Sequence, residues 1–453
     1  MISTDELQVL RAAEETLAEA FERMPEFQSS PLDEAAGRIL TEAAERMQDN
    51  FPYAHPLYAG QMLKPPHPLA RAAYSLAMNV NPNNHALDGG RASSAMELEC
   101  ISQIAAMFGL PQHLGHLSSG GTFANLEALW VAGQLHPGKS IAASSQAHYT
   151  HSRLSGVLGL RFECVPVDDT NRMDLDALEA LLRRGAIGTV VCTLGTTATG
   201  AVDSLDEIVK LRERYGFRLH VDAAYGGYFT LAGNLSAESR RAYDAIAHAD
   251  SIVIDPHKHG LQPYGCGCVI FADPAVGRLY KHDSPYTYFT SASLHLGEIS
   301  LECSRAGASA VALWSTMRLL PLERAGLFAR GLEAGREAAL ELHRRVAASA
   351  LFVAPRHAPQ LDIAVWQVRA GSPEEASAKA QRVFDEAAKL DLHLALARLP
   401  RRLFEDADGD VLCLRSVLMK PEHLAWIDEI WVRLEQAAGM VGGPAPAHLA
   451  VKS

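Results

Sequence analysis

Apolar and polar positions follow two rhythms along this chain. Between residues 97 and 272, short continuous apolar runs trade places with stretches in which apolar residues recur at helical spacing. MELECISQIAAMFG reads as helix, HLGHLSSGG as a short strand entering a glycine turn, TFANLEALWVAGQL as helix and SIAASSQ as strand. The alternation continues with helix 151–158, strand 161–166, helix 174–183, strand 188–194, helix 204–214, and strands 217–222, 250–254 and 267–272. Strands that are apolar throughout, separated by amphipathic helices, predict an α/β fold with a mostly parallel sheet covered on both faces.

The flanks have other patterns. Residues 1–50 are helical in period, with a capping-box start at Ser3/Thr4-Asp5-Glu6. Residues 51–95 carry Pro52, Pro56, Pro65, Pro66, Pro68 and Pro82, and read as loop around a helix at 69–79. After residue 297 one long helix is expected through LGEISLECSRAGASAVALWSTMRL, then helix over 322–348. Short strands (LFVA, DIAVWQV, LHLALAR, VLCLRSV) then alternate with helices (PEEASAKAQRVFDEAAKL, EHLAWIDEIWVRLEQAA). The chain thus divides into a helical arm with a pocket-lining segment (1–95), a large domain (96–320) and a smaller C-terminal α+β domain (321–453).

Composition narrows the classes. Of 453 residues, 48% are hydrophobic and 21% charged, as in a globular protein. The net charge of −12 argues against broad affinity for nucleic acid or anionic membrane. The N-terminus MISTDELQVL lacks the basic and apolar regions of a signal peptide, and no apolar run approaches the roughly 20 residues that span a bilayer. The seven cysteines are scattered and odd in number, and read as free, mostly buried thiols. Cys266 and Cys268 form a lone C-x-C, so no metal site is expected. A cytoplasmic chain is the reading, in which the sequon Asn234-Leu235-Ser236 stays bare.

Gly133-Gln134-Leu135-His136-Pro137-Gly138-Lys139-Ser140 matches the P-loop pattern, but a helical stretch precedes it and a strand follows. That reverses the order a phosphate-binding loop needs. Ser118-Ser119-Gly120-Gly121-Thr122 has the right order, strand then glycines then helix. Asp222, in Val221-Asp222-Ala223-Ala224-Tyr225, closes an apolar strand, where open α/β sheets place ligands. Lys258, in Asp255-Pro256-His257-Lys258-His259-Gly260, follows another. A desolvated lysine is a Schiff-base nucleophile. A lysine for an aldehyde, an aspartate for a pyridinium nitrogen and a glycine-rich helix start for a phosphate are together what pyridoxal phosphate requires. His148, in Ser144-Ser145-Gln146-Ala147-His148, ends a further strand and could lie flat against such a ring.

In this order S-S-G-G-T-x-A-N, S-x-Q-A-H, L-G-T-T, V-D-A-A-Y and D-P-H-K span residues 118–260. The chain resembles the group II pyridoxal-phosphate-dependent amino-acid decarboxylases, the fold-type I family that includes glutamate, aromatic amino acid and archaeal tyrosine/aspartate decarboxylases. The resemblance implies that Lys258 carries the cofactor as a Schiff base, that Asp222 pairs with the ring nitrogen, that His148 stacks on the ring and that Ala224 packs on its other face. Gly120, Gly121 and Thr122 match the phosphate cradle, His257 sits beside the phosphate, and Thr196 and Thr197 match positions near the ring, Thr197 the better. Asp203 keeps the family's spacing. Asp255 departs from the asparagine common in animal members, and one anion beside another implies that it faces elsewhere.

Decarboxylation needs the Cα–carboxylate bond held perpendicular to the ring. The resemblance gives that task to Arg415, whose fork suits a carboxylate. It gives protonation of Cα to a tyrosine on a mobile loop reaching in from a partner subunit, Tyr286 first and Tyr288 second. His55-Pro56-Leu57-Tyr58-Ala59-Gly60-Gln61-Met62 resembles the substrate-pocket segment. Gln61 tilts the substrate toward an acidic or polar amino acid, whereas Gly60 could open the pocket to a larger side chain, so the substrate stays open. The implied assembly is a homodimer with the site at the subunit interface. The implied reaction is decarboxylation of an L-amino acid to amine and CO₂. Two other readings stand beside it: another fold-type I lyase, either aldehyde-forming or cleaving Cα–Cβ like sphingosine phosphate lyase, and a cofactor-binding protein without turnover.

Overall fold

The apolar runs become the strands of a seven-stranded sheet: β1 (Leu114–Ser118), β2 (Ser140–Ser144), β3 (Arg161–Val165), β4 (Ile187–Thr193), β5 (Arg218–Asp222), β6 (Ser251–Ile254) and β7 (Gly267–Phe271). The computed structural model describes residues 3–25, 32–280 and 295–441. The strand order is β1-β7-β6-β5-β4-β2-β3. The run β3-β2-β4-β5-β6 pairs in parallel, while β7 is antiparallel to both β6 and β1. Every strand but β7 therefore ends at the same edge of the sheet, and β7 begins there.

Every residue of β4, β5, β6 and β7 is buried, as expected of strands covered on both faces. Edge strand β3 exposes Arg161 and Cys164. Ile252, Val253 and Ile254 are wholly buried, at roughly 1.5–3 kcal/mol each. That burial anchors the start of the loop that follows β6.

Helices α1 (Thr4–Glu19), α2 (Glu34–Met47) and α3 (Pro68–Met78) precede the sheet. Those that accompany it are α4 (Arg91–Met107), α5 (Gly121–Leu135), α6 (Thr150–Val157), α7 (Leu175–Leu182), α8 (Leu205–Tyr215), α9 (Ala237–Asp244) and α10 (Gly307–Leu319). Ser3 caps α1 by accepting from the Glu6 amide, but Glu6 does not close a capping box. Its carboxylate binds Arg71 of α3 at 2.8 Å instead.

The single helix expected over 296–319 begins only at Gly307. Residues before it are committed to the large domain. Glu302 accepts from the Ser119 amide at 3.0 Å, the Leu301 amide donates to Glu127 at 3.1 Å, and Arg305 pairs with Glu97 at 2.7 Å. At Gly307 the chain passes so close to Asn84 that a Cβ would lie 2.5 Å from its Oδ1. These long-range bonds override the helical period.

The smaller unit comprises α11 (Leu327–Ala348), β8 (Phe352–Val353), β9 (Ile363–Val368), α12 (Pro373–Lys389), β10 (Ala395–Pro400), β11 (Asp410–Val417) and α13 (Ile427–Val441). Its sheet is antiparallel, in the order β10-β11-β9-β8. Leu57 and Ala59 share its core with Trp366 and Leu414. The Ala59 amide donates to the His393 carbonyl at 2.9 Å, and the Val417 amide to the Ala59 carbonyl at 2.7 Å. The pocket-lining segment is thus stitched to the C-terminal unit. Helix α2 leaves Ile39, Leu40 and Met47 largely exposed. Among the described residues, no helix is long and apolar enough to cross a membrane.

Candidate active site

The ends of β1, β2, β4, β5 and β6 converge on a cavity of about 370 Å³. Lys258 reaches it from the turn after β6. The Lys258 amide donates to the Asp255 carbonyl at 2.9 Å, and the His257 amide to the Cys266 carbonyl at 3.1 Å. A Cβ on Gly260 would lie 2.6 Å from Pro256 Cα, so the turn closes only around glycine.

Asp255 does not face elsewhere. Its Oδ2 lies 3.0 Å from Lys258 Nζ and 3.6 Å from His257 Nε2. The neighbour that governs it is a cation, which gives a buried carboxylate the compensation it needs.

Asp222 closes β5 at the bottom of the cavity. Its Oδ2 accepts from His151 Nε2 at 2.7 Å and its Oδ1 from the Ala224 amide at 3.1 Å. Burial alone would raise its pKa. The hydrogen bond and charge of His151, with the charge of Lys258, outweigh burial and hold the carboxyl well below the usual range. His148 lines the cavity, with its Nδ1 2.5 Å from Thr150 Oγ1 and 3.3 Å from the Thr150 amide. Those contacts fix the ring orientation. Burial lowers the His148 pKa, which favours a neutral imidazole. Ala224 and His257 also line the cavity, with His257 Nδ1 held by the Cys266 carbonyl at 2.8 Å.

The glycine turn opens α5. Gly120 has φ of +152°, a conformation that favours glycine. Across from it, a Cβ on Gly267 would lie 2.5 Å from the Gly120 carbonyl carbon. Gly121 carries the same constraint, because its Cβ would sit 2.6 Å from Asp255 Oδ2. Helix α5 has no side-chain cap among the described residues, and the Phe123 and Ala124 amides bond the Gly120 carbonyl, so the Gly121 and Thr122 amides are left at the cavity as an anion-binding end. Thr122 lines the same end. Asp255 Oδ1 and Thr193 Oγ1 are buried with no hydrogen-bond partner among the described residues. An anion cradle, a carboxylate at the floor, an amine and a flat imidazole surround one cavity. This set fits pyridoxal phosphate.

Not all of the other expected residues line the cavity. Thr197 lines it, but Thr196 turns its Oγ1 into its own loop, 3.0 Å from the Ala201 amide and 3.1 Å from Thr199 Oγ1. The chain turns here, with the Gly200 amide donating to the Thr196 carbonyl at 2.8 Å, so the Thr196 hydroxyl is used in closing that turn. Gln61 is exposed and does not line the cavity. Arg415 is buried as a backbone clamp. Its Nε donates to the Ala198 carbonyl at 3.1 Å, Nη1 to Gly60 at 3.1 Å and Nη2 to Thr197 at 2.7 Å. Asp203 is a fully buried bracket that accepts from the Met173 and Thr193 amides, with its pKa pushed up to about 6 by burial. Tyr286 and Tyr288 lie outside the described residues. His151 is a site residue that sequence reasoning missed, as are Asn125, Thr150 and Thr193, which line the cavity. The only local signal of His151 is its place three residues after His148, within the turn that opens α6.

The rejected P-loop pattern joins the end of α5 to β2, helix before strand. Of the cysteines, Cys164 and Cys303 are exposed and the others buried, all free.

A family model described as the pyridoxal-dependent decarboxylase conserved domain matches residues 130–352. An L-tyrosine decarboxylase of Enterococcus faecium is 30% identical over 438 residues, covering 72% of this chain and 71% of its own. A probable L-tyrosine/L-aspartate decarboxylase of Methanocella arvoryzae is 31% identical over 287 residues, covering 62% and 72%. Among solved structures, mouse CSAD in its apo form superposes with a TM-score of 0.78 at 21% identity, covering 94% of this chain and 92% of that one.

Proposed function

Since the chain belongs to the pyridoxal-dependent decarboxylase family, we propose that its substrate is L-tyrosine, converted to the amine and carbon dioxide. It is an amino-acid decarboxylase whose cofactor is pyridoxal phosphate. The reading of the site rests on one observation: Lys258, Asp222 and the glycine-lined start of α5 share one cavity. The choice of tyrosine is supported by the name of the Enterococcus faecium relative. The name of the Methanocella arvoryzae relative supports a second reading, L-aspartate.

Gln61, the residue that would favour an acidic or polar substrate, is exposed and does not line the cavity. Nor does Gly60 serve to enlarge a pocket. A Cβ there would lie 2.5 Å from the Leu394 carbonyl oxygen, so this glycine permits the close approach of the segment to the small sheet.

Bound in the cavity, pyridoxal phosphate supplies a sink for the electron pair left when the Cα–carboxylate bond breaks. Lys258 Nζ holds the cofactor aldehyde, and Asp255 keeps that amine in place. The amides of the first turn of α5, with Thr122, hold the phosphate. The Asp222 carboxylate holds a proton at the ring nitrogen, and His148 confines the ring from one side. Arg415 fixes the carbonyls of Gly60, Thr197 and Ala198, joining the pocket segment to the loop that carries Thr197. Tyr286 returns a proton to Cα. The unburied apolar face of α2, with Ile39, Leu40 and Met47, supports a homodimer in which the arm packs on the partner. The free cysteines support a reducing, cytoplasmic home.

Steady-state rates with L-tyrosine, L-aspartate and L-glutamate test the substrate. The expected kcat/KM for tyrosine exceeds that for aspartate by about a hundredfold, since a pocket shaped for one side chain leaves the other's polar groups unmatched. A higher value for aspartate replaces the first reading by the second. A higher value for glutamate removes both.

A further inference from the structure

We infer that His151 is a positioning residue for the cofactor: its Nε2–H locks the Asp222 carboxylate in the orientation that meets the ring nitrogen. The inference rests on the cofactor reading above and not on the choice of substrate.

His151 is wholly buried in the first turn of α6. Its amide donates to the His148 carbonyl at 3.1 Å, and its carbonyl accepts from Ser155 Oγ at 2.8 Å. One helical turn therefore places His148 beside the ring and His151 behind Asp222. The contact between His151 and Asp222 joins residues 71 positions apart, at 2.7 Å. With the Ala224 amide on Oδ1, each carboxylate oxygen has one fixed donor and retains a lone pair for the cavity.

The other ring nitrogen is informative. His151 Nδ1 is buried with no hydrogen-bond partner among the described residues. A buried polar atom left this way costs free energy that a leucine or phenylalanine of similar shape avoids. Filling space does not explain a histidine here, whereas donating from Nε2 does. His220, with its ring centroid 6.2 Å away, is itself committed, Nε2 to Asn125 Oδ1 at 2.8 Å and Nδ1 to Ser251 Oγ at 2.9 Å. It offers nothing to Nδ1 of His151. Asn125, the partner of His220 Nε2, lines the cavity.

The test titrates apo-protein with pyridoxal phosphate and follows the visible absorbance band, with no amino acid present. His151→Phe keeps the ring and loses the donor, and His151→Leu takes its place should the first variant fail to fold. His151→Gln keeps an N–H at nearly the same reach. The expected result is that the cofactor dissociation constant rises by about tenfold or more in the donorless variant, as when an outer-shell partner is lost, and mostly returns in the glutamine variant. In an Asp222→Asn background, His151→Phe changes it by less than about twofold. The inference is overturned if the donorless variant binds like wild type, or if the glutamine variant is impaired as much as the donorless one. If wild type itself gives no visible band, the cofactor reading fails, an outcome distinct from either.

Discussion

Lys258→Ala abolishes the visible absorbance band of the cofactor complex and lowers decarboxylation by about a thousandfold or more. Among the described residues, no other lysine lines the cavity. Lys64 Nζ donates to the Met419 carbonyl at 3.2 Å and Lys420 Nζ to the Tyr58 carbonyl at 2.5 Å, and neither residue lines the cavity. Lys258→Arg separates chemistry from charge. It keeps a cation beside Asp255 Oδ2, so the fold is retained, but it offers no nucleophilic amine, so band and turnover are lost as in the alanine variant. Absorbance spectra, thermal melts and CO₂ release distinguish these outcomes. Wild-type turnover in either variant would remove Lys258 from its role.

Asp222→Asn preserves shape and loses charge. A neutral amide no longer stabilises a protonated ring nitrogen, and kcat falls by about 10²–10³-fold, the scale of losing one aligned electrostatic partner in a closed site. The change also alters what His151 meets at Oδ2, and a mismatched buried donor costs about 1–3 kcal/mol, visible as a lower Tm. The sign of the pH effect follows from the direction of the shift. The carboxyl of Asp222 is depressed in the folded protein, so its contribution to stability is fully present above the unfolded value, near pH 4, and is lost as pH falls further. The wild type should therefore lose stability below about pH 4 more steeply than Asp222→Asn. Parallel pH–stability curves would contradict this.

The parts of the site that were legible in the sequence are those written locally. Lys258 and His148 follow strands and Asp222 closes one, and buried parallel strands are mostly apolar runs that can be read from the sequence. The glycine turn was legible because a strand, two glycines and a helix can be read within one short segment. Contacts between distant elements were not. His151 meets Asp222 across the sheet, and nothing near residue 151 announces a partner at 222. The resemblance makes Arg415 a carboxylate holder, whereas its three nitrogens bond backbone carbonyls, which have no signature in side-chain sequence. Asp255 was expected to avoid the site on grounds of like charge. The fold instead brings Lys258 onto it within one turn. The same holds for architecture. Helical period carried the helix back to residue 296, but bonds from Leu301, Glu302 and Arg305 to the large domain hold those residues out of it.

The most direct test of the account is product stoichiometry. Purified protein loaded with pyridoxal phosphate is incubated with L-tyrosine, and amine, CO₂, aldehyde and ammonia are quantified together. One amine and one CO₂ are expected for each amino acid consumed, with aldehyde and ammonia at background. Aldehyde and ammonia in place of the amine, or a colourless protein that consumes no amino acid, would contradict that expectation.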